Sequence, residues 1–265
     1  KSGLGDATNS FDINNSPNQA HETITNGGWG NYSVTSDLVD MYDDYNADGG
    51  RVDGTVKTRN DQVENVYFAQ IVTAASSFDK SADFIKYGDP SEPFLNKDAR
   101  FQAWVLYPGV DFRGKKIVAQ GGIWLDGADP VFYENNAYTV NGTTYYGLGA
   151  DNSANMSAFY EVGKGATSNH AYFWNSCFGI RKFLDPEQAL KYSTNPWYDI
   201  RYAEILLNYA EAVVESGKGD AAIAKKSLND IRHRAAFSDD IDLTLENVLH
   251  ERKVEFAFEG HESYT

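Results

Sequence analysis

Between positions 200 and 216 the apolar side chains Ile200, Ala203, Leu206, Leu207, Ala210, Val213 and Val214 recur at three- and four-residue steps. That spacing gathers them on one face of a helix. Asp199 stands where its carboxylate can take an orphan N–H of the first turn. The run Ser216-Gly217-Lys218-Gly219 predicts the end of the helix, because glycine enters the left-handed C-cap conformation without steric cost. Asp220 predicts a second start, with Ala221, Ala224, Leu228 and Ile231 on the inner face of a helix running to about Arg234. Thr244 is placed to cap a third helix carrying Leu245, Val248, Leu249 and Phe256 inward. Two antiparallel helices over roughly 34 residues, with alanines where they meet, make one tetratricopeptide-like hairpin.

The pattern changes upstream. Phe101–Tyr107, Lys116–Ala119 and Ala171–Trp174 are short apolar or alternating runs that predict strands. Gly-Gly, Asn-Gly and Asp-Pro pairs separate such runs. The fold class predicted is therefore mainly α, with loop-rich and short-strand portions. Aromatics are dense here, and Lys164 is the one basic residue between 121 and 180. Long loops carrying aromatics and Asn suit a binding surface better than a minimal scaffold.

Composition narrows the function classes. The chain has 265 residues and a formal net charge of −15. Nucleic acid is disfavoured as a partner, since phosphate backbones are bound by clustered Lys and Arg; anionic lipid surfaces are disfavoured for the same reason. No stretch approaches the roughly 20 apolar residues of a membrane helix. Cys177 is the only cysteine, so an intrachain disulfide and multi-thiolate zinc sites are excluded. In the aromatic run around it, Cys177 reads as an apolar filler.

Catalytic motifs are missing. His250-Glu251 would begin a zinc-protease helix only if position 254 were His, and it is Val254. Neither a G-x-S-x-G elbow nor a Walker loop occurs. Glu251 and Glu255 share a helix face at i, i+4, and Arg201 and Glu204 stand at i, i+3. Paired carboxylates can do acid–base work. With Arg252 beside them, ion pairs between helices are the preferred reading.

Two aromatic segments suit ligand contact. In Gly27-Gly28-Trp29-Gly30-Asn31-Tyr32, glycines can lift Trp29 and Tyr32 toward solvent beside the amide of Asn31. Sugar rings present apolar C–H faces to flat aromatic rings, and amides reach their hydroxyls. Tyr133, Asn135, Tyr138, Tyr145 and Tyr146 form a second patch, which strand packing also explains. Asp44, Asn46, Asp48 and Gly49 spell the first half of a calcium loop, D-x-N-x-D-G. Its twelfth position is Thr55 where a bidentate Glu belongs, although Asp53 stands nearby. Calcium is thus the one cofactor the residues suggest, and an Asx-rich turn is the alternative.

Four stretches in order, SDLVDMYDDYNADG (36–49), NKDARFQAWVLYPGVDFRG (96–114), FGIRKF (178–183) and the helical run 200–261, closely resemble SusD/RagB-like proteins. The resemblance implies a SusD-like fold, with residues 1–195 as a ligand-facing part and 196–265 as the tetratricopeptide-like helical part. It also implies a protein roughly twice this length, judged by typical domain size. Of such a protein this would be a C-terminal segment, the N-terminal half carrying a lipid-anchoring cysteine. After Glu259-Gly260-His261 the family continues with an arginine and an aromatic-Asp-Leu run, whereas this chain has Glu262-Ser263-Tyr264-Thr265. The function implied is non-enzymatic capture of a nutrient, a glycan or a peptide, at the outer-membrane surface. Delivery would be to a SusC-like TonB-dependent transporter. A glycoside hydrolase and a tetratricopeptide-type interaction scaffold are the alternatives.

Overall fold

The computed structural model describes residues 10–17, 20, 30–57, 85, 87–117, 119, 122–123, 131–132, 137–140, 143–146, 176–187, 193 and 195–260. In chain order the elements are α1 (Phe11–Asn15), α2 (Ser36–Met41), β1 (Asp44–Tyr45), β2 (Arg51–Val52), α3 (Ala99–Trp104), β3 (Val105–Leu106), β4 (Asp111–Phe112) and β5 (Lys115–Lys116). Then follow β6 (Gly122–Ile123), β7 (Val131–Phe132), β8 (Ala137–Val140), β9 (Thr143–Tyr146), β10 (Gly179–Ile180), α4 (Tyr202–Ser216), α5 (Ala221–Arg234) and α6 (Leu245–Glu255). The protein is mainly helical, and its described strands pair antiparallel, two by two.

Two compact units divide the chain. A loop unit comprises Lys1–Ser36, Val56–Leu95 and Trp104–Asn195; a helical unit comprises Asp37–Thr55, Asn96–Ala103 and Pro196–Thr265. Two segments upstream of 196 thus belong with the helices. A linear reading could not place them there, because their partners are distant in sequence.

In the helical unit, α4 and α5 form the hairpin and α6 packs on both. Leu207, Ala210, Leu228 and Val248 are fully buried at its centre, with Ile231 and Phe256 against them. Burying one such leucine contributes roughly 1.5–3 kcal/mol. The caps are local chemistry. Asp220 accepts from the N–H groups of Ala222 (2.9 Å) and Ile223 (3.1 Å), and Thr244 accepts from Asn247 at 3.2 Å. Gly217 closes α4 at φ 63°, its N–H on the Val213 carbonyl. Buried Asn229 clamps the segment after α5, donating to the Ile241 carbonyl and accepting its N–H.

Four expectations for this unit need correction. Asp199 is not the cap of α4: Arg201 holds that position in extended geometry, with no side-chain cap bond. Ile200 therefore lies outside the helix and is 73% exposed rather than inward. Ala221 and Leu245 are likewise exposed, each at the first position of its helix, where the core stripe has not yet turned inward.

The expected strand over Phe101–Tyr107 is a helix, α3, followed by only the two strand residues Val105 and Leu106. Asp98 decides this. Its carboxylate accepts the Arg100 N–H at 2.7 Å and its carbonyl accepts the Gln102 N–H, so the chain turns helical before the apolar run can extend. Among the described residues of Lys116–Ala119, Lys116 alone lies in a strand, β5. Ala171–Trp174 falls outside the described residues. Cys177 is half-buried at φ 69° rather than an interior filler.

Candidate functional site

In the loop unit the backbone around Asn31 and Tyr32 is held on both sides. The Asn31 N–H donates to the Asn14 carbonyl at 2.8 Å, and the Val34 N–H donates to the Phe178 carbonyl at 3.0 Å. Ser33 forms an antiparallel bridge to Gly179, and the Val34 side chain is buried. Between these anchors both side chains point out, Tyr32 with 60% of its surface exposed. An aromatic ring is thus presented to solvent on a fixed strand-like backbone.

The anchors are themselves supported. Asn15, at the end of α1, turns its amide back to the Phe11 carbonyl at 2.9 Å. Phe11 meets Phe183 edge to face. Beneath, buried Asp12 pairs with Arg113, whose Nε donates to the Asp185 carbonyl at 2.9 Å. The Asp185 N–H donates to the same Asp12 carboxylate at 3.0 Å. Trp29 and Tyr133, the other expected contacts, lie outside the described residues, as does Asn135. Tyr138 sits in β8 opposite Tyr145 in β9.

The helical unit concentrates charge instead. Arg100 donates bidentately to Asp98, with Nη2 at 2.6 Å, and its Nη1 reaches Glu251 at 2.9 Å and Glu255 at 3.2 Å. Arg232 takes the other oxygen of Glu251 at 2.5 Å. Arg201 and Arg234 both donate to the remaining oxygen of Glu255, and Arg201 also grips Glu259 at 2.8 Å. Arg51 meets Asp43 at 2.9 Å. Glu251, Glu255 and Arg232 are fully buried.

Burial works against the Arg100 guanidinium, but Glu251 and Asp98 outweigh it and hold its proton more firmly than in water. Every carboxylate here meets an arginine, which is what buried charge requires. The expected ion pairs between helices are present: Glu251 and Glu255 share Arg100, and each also meets a further arginine. Arg252 instead reaches Asn208 at 2.5 Å and Glu211 at 3.4 Å, and the Glu204 side chain does not pair with Arg201.

Asp43, His250 and Glu251 bring possible metal-ligand atoms within 4.8 Å of one another. Arg232 contacts both carboxylates, at 3.5 Å for Asp43, and already supplies the positive charge there. The D-x-N-x-D-G turn has a similar answer. Asn46 Oδ1 accepts the N–H groups of Asp48 (2.9 Å) and Gly50 (2.8 Å), the geometry of an Asx turn closing the β1–β2 hairpin. Asp44 faces the buried ammonium of Lys97 at 3.6 Å. Lys97 also donates to the carbonyls of Tyr42 (3.0 Å) and Gly54. An internal ammonium thus occupies an oxygen-lined position beside the turn, its pKa pushed down by burial against the pull of Asp44. Gly54 is obligatory there, since a Cβ would lie 1.7 Å from the Tyr42 carbonyl oxygen. Of the donors named for calcium, Asn46 holds two backbone N–H groups and Asp44 faces Lys97.

Sequence reasoning missed Lys97, Asp98 and Arg100. The signal was present: three charges directly ahead of an apolar run predict either a cap or a buried pair. It also missed that Trp197, Tyr198 and Tyr202 are largely exposed just ahead of and at the start of α4.

The model of the SusD family matches residues 2–264. The chain belongs to the SusD family. Two solved structures from Bacteroides fragilis NCTC 9343 share the fold. A SusD-like protein superposes with TM-score 0.51 at 20% identity, covering 95% of this chain and 40% of its own. A SusD-like carbohydrate-binding protein superposes with TM-score 0.50 at 19% identity, covering 92% and 36%. The chain therefore spans about two fifths of these SusD-like proteins. No curated protein matches it. No helix among the described residues is long and apolar enough to cross a membrane.

Proposed function

We propose that this chain is part of a non-enzymatic glycan-binding protein of the outer-membrane surface, lipid-anchored elsewhere in the polypeptide. It hands its ligand to a SusC-like TonB-dependent transporter. The observation that carries the binding role is the exposed Tyr32 ring beside Asn31 on a backbone pinned at both ends. A ring already in place loses little freedom when a sugar face stacks on it, and the neighbouring amide can meet the hydroxyls. Trp29, three residues before Tyr32 in the sequence, is the second candidate contact. Family membership and the carbohydrate-binding relative support a saccharide over a peptide.

The carboxylates argue against hydrolysis. Glu251 and Glu255, the pair considered for acid–base work, are fully buried and arginine-bound. A glycosidase acid must touch the scissile oxygen, and neither side chain is open to a substrate. Reducing-sugar release over a polysaccharide panel should stay at the buffer blank. Release that is lost on Asp or Glu substitution would overturn this.

The binding role is tested by affinity electrophoresis of the protein and its Tyr32→Ala and Trp29→Ala variants on the same panel, with a thermal melt of each. Loss of retardation at unchanged melting temperature supports the site. Undiminished retardation of both variants on a polysaccharide that retards the parent removes it.

A further inference from the structure

The polar side chains on the backbone around Tyr32 are amides and hydroxyls. Asn31, Ser33 and Thr35 are exposed along it. Asn14, whose carbonyl holds the Asn31 N–H, donates its own amide to the Ser10 hydroxyl at 3.2 Å. The charged groups of the supporting segments lie below or turn to rings. The side chains of Asp12 and Arg113 are buried against each other. Lys182 is buried, its ammonium 3.7 Å from the centre of the Trp104 ring, and the Arg181 guanidinium lies over Phe112 at 5.5 Å. The segment whose amide caps Asp12 adds acids, half-buried Asp185 and exposed Glu187.

The sequence continues this pattern. From Ser2 to Gly50 there is no Lys or Arg, while acids recur throughout, and Lys164 is the one basic residue between 121 and 180. Carboxylates and sulfates are recognised through Arg or Lys, which give them charge-assisted hydrogen bonds. A uronic acid stacked on Tyr32 would meet amides and hydroxyls instead. An anionic group partly stripped of water without a cation loses more than it regains. The field of a chain with formal net charge −15 adds repulsion. Uncharged sugar hydroxyls meet neither penalty, because they exchange hydrogen bonds with water for hydrogen bonds with amides at little net cost.

We infer that the Tyr32 site takes neutral glycans, built of uncharged sugar units, and rejects uronic-acid and sulfated ones. This selectivity rests on the glycan-binding reading above and names the substrate class of that site.

The test titrates the protein and its Tyr32→Ala variant with each neutral polysaccharide of the panel and with the same polysaccharide oxidised to the carboxylate at C6. Each titration is run at ionic strengths of about 0.01 M and about 1 M, across which the screening length falls from roughly 30 to 3 Å. The neutral form should bind with an affinity that changes less than about twofold with salt. The oxidised form should bind at least about tenfold more weakly at low salt, and the gap should narrow at high salt. Equal or tighter binding of the oxidised form, lost in Tyr32→Ala, overturns the inference and leaves the site standing. Neutral binding that Tyr32→Ala does not weaken removes the site, and the inference falls with it. A parent that binds neither form overturns both.

Discussion

The helical and loop units use their polar residues in opposite ways. In the helical unit, Arg100, Arg201, Arg232 and Arg234 are spent on Asp98, Glu251, Glu255 and Glu259, mostly out of solvent. In the loop unit the buried pair Asp12–Arg113 stiffens the ground beneath, while Asn31 and Tyr32 remain outside. Charge matched inside a core holds helices in register and leaves nothing for a ligand. An exposed ring on a pinned backbone contributes little to the core and is ready for one. The carboxylates of this network are therefore poor candidates for ligand contact, and the exposed Tyr32 is the proposed one.

Substituting the hub of the network gives the largest contrast. Arg100→Ala leaves Asp98, Glu251 and Glu255 short of a partner in a dry setting, and should cost roughly 3–5 kcal/mol in chemical denaturation. Affinity for any glycan, per folded molecule, should be unchanged. A stable variant that no longer binds would move this network from scaffold to site. Glu251→Ala should behave alike, and Arg201→Ala more mildly because that guanidinium is partly exposed.

Tyr32→Ala should give the mirror image. As a stacking contact it should lose about 2 kcal/mol of glycan affinity, with stability held within about 0.5 kcal/mol. Isothermal titration beside a thermal melt reads both, and a large drop in melting temperature at full affinity would erase the contrast between the units.

Asp220→Ala removes two capping bonds from α5 and should cost about 1 kcal/mol of stability. The effect should appear in denaturation alone. Any change in ligand affinity would show that the hairpin communicates with binding.

The smallest effect belongs to acid. Burial would raise the Asp89 pKa, but Lys116 and the hydroxyl and amide of Ser91 outweigh it and hold the carboxyl at about 2 instead of 3.8. A depressed carboxyl stabilises the fold above its unfolded pKa, and that contribution fades as the pH falls from 3.8 toward about 2. Since Asp89 and Lys116 are each about two fifths exposed, the gain stays below about 1 kcal/mol. Asp89→Asn should flatten the pH dependence of stability in that window only. An unchanged slope would assign acid sensitivity to the helical unit instead.

What could be read along the chain was short in range. Three- and four-residue periodicity located α4, α5 and α6, and Asp220, Thr244 and Gly217 marked their ends, because caps and stripes are set within one turn. Ordered motifs spread over the chain carried the family. Tertiary structure decided the rest. It moved the start of α4 from Asp199 to Arg201, whose guanidinium is drawn to Glu255 and Glu259 more than fifty residues on. It tied Arg100, on the helix that Asp98 starts locally, to Glu251, 151 positions away. It also set Lys97 beside Asp44, at the turn where the sequence pattern alone suggested a calcium ion. Local geometry is written in neighbouring residues; which charge meets which inside a core depends on how distant segments fold together.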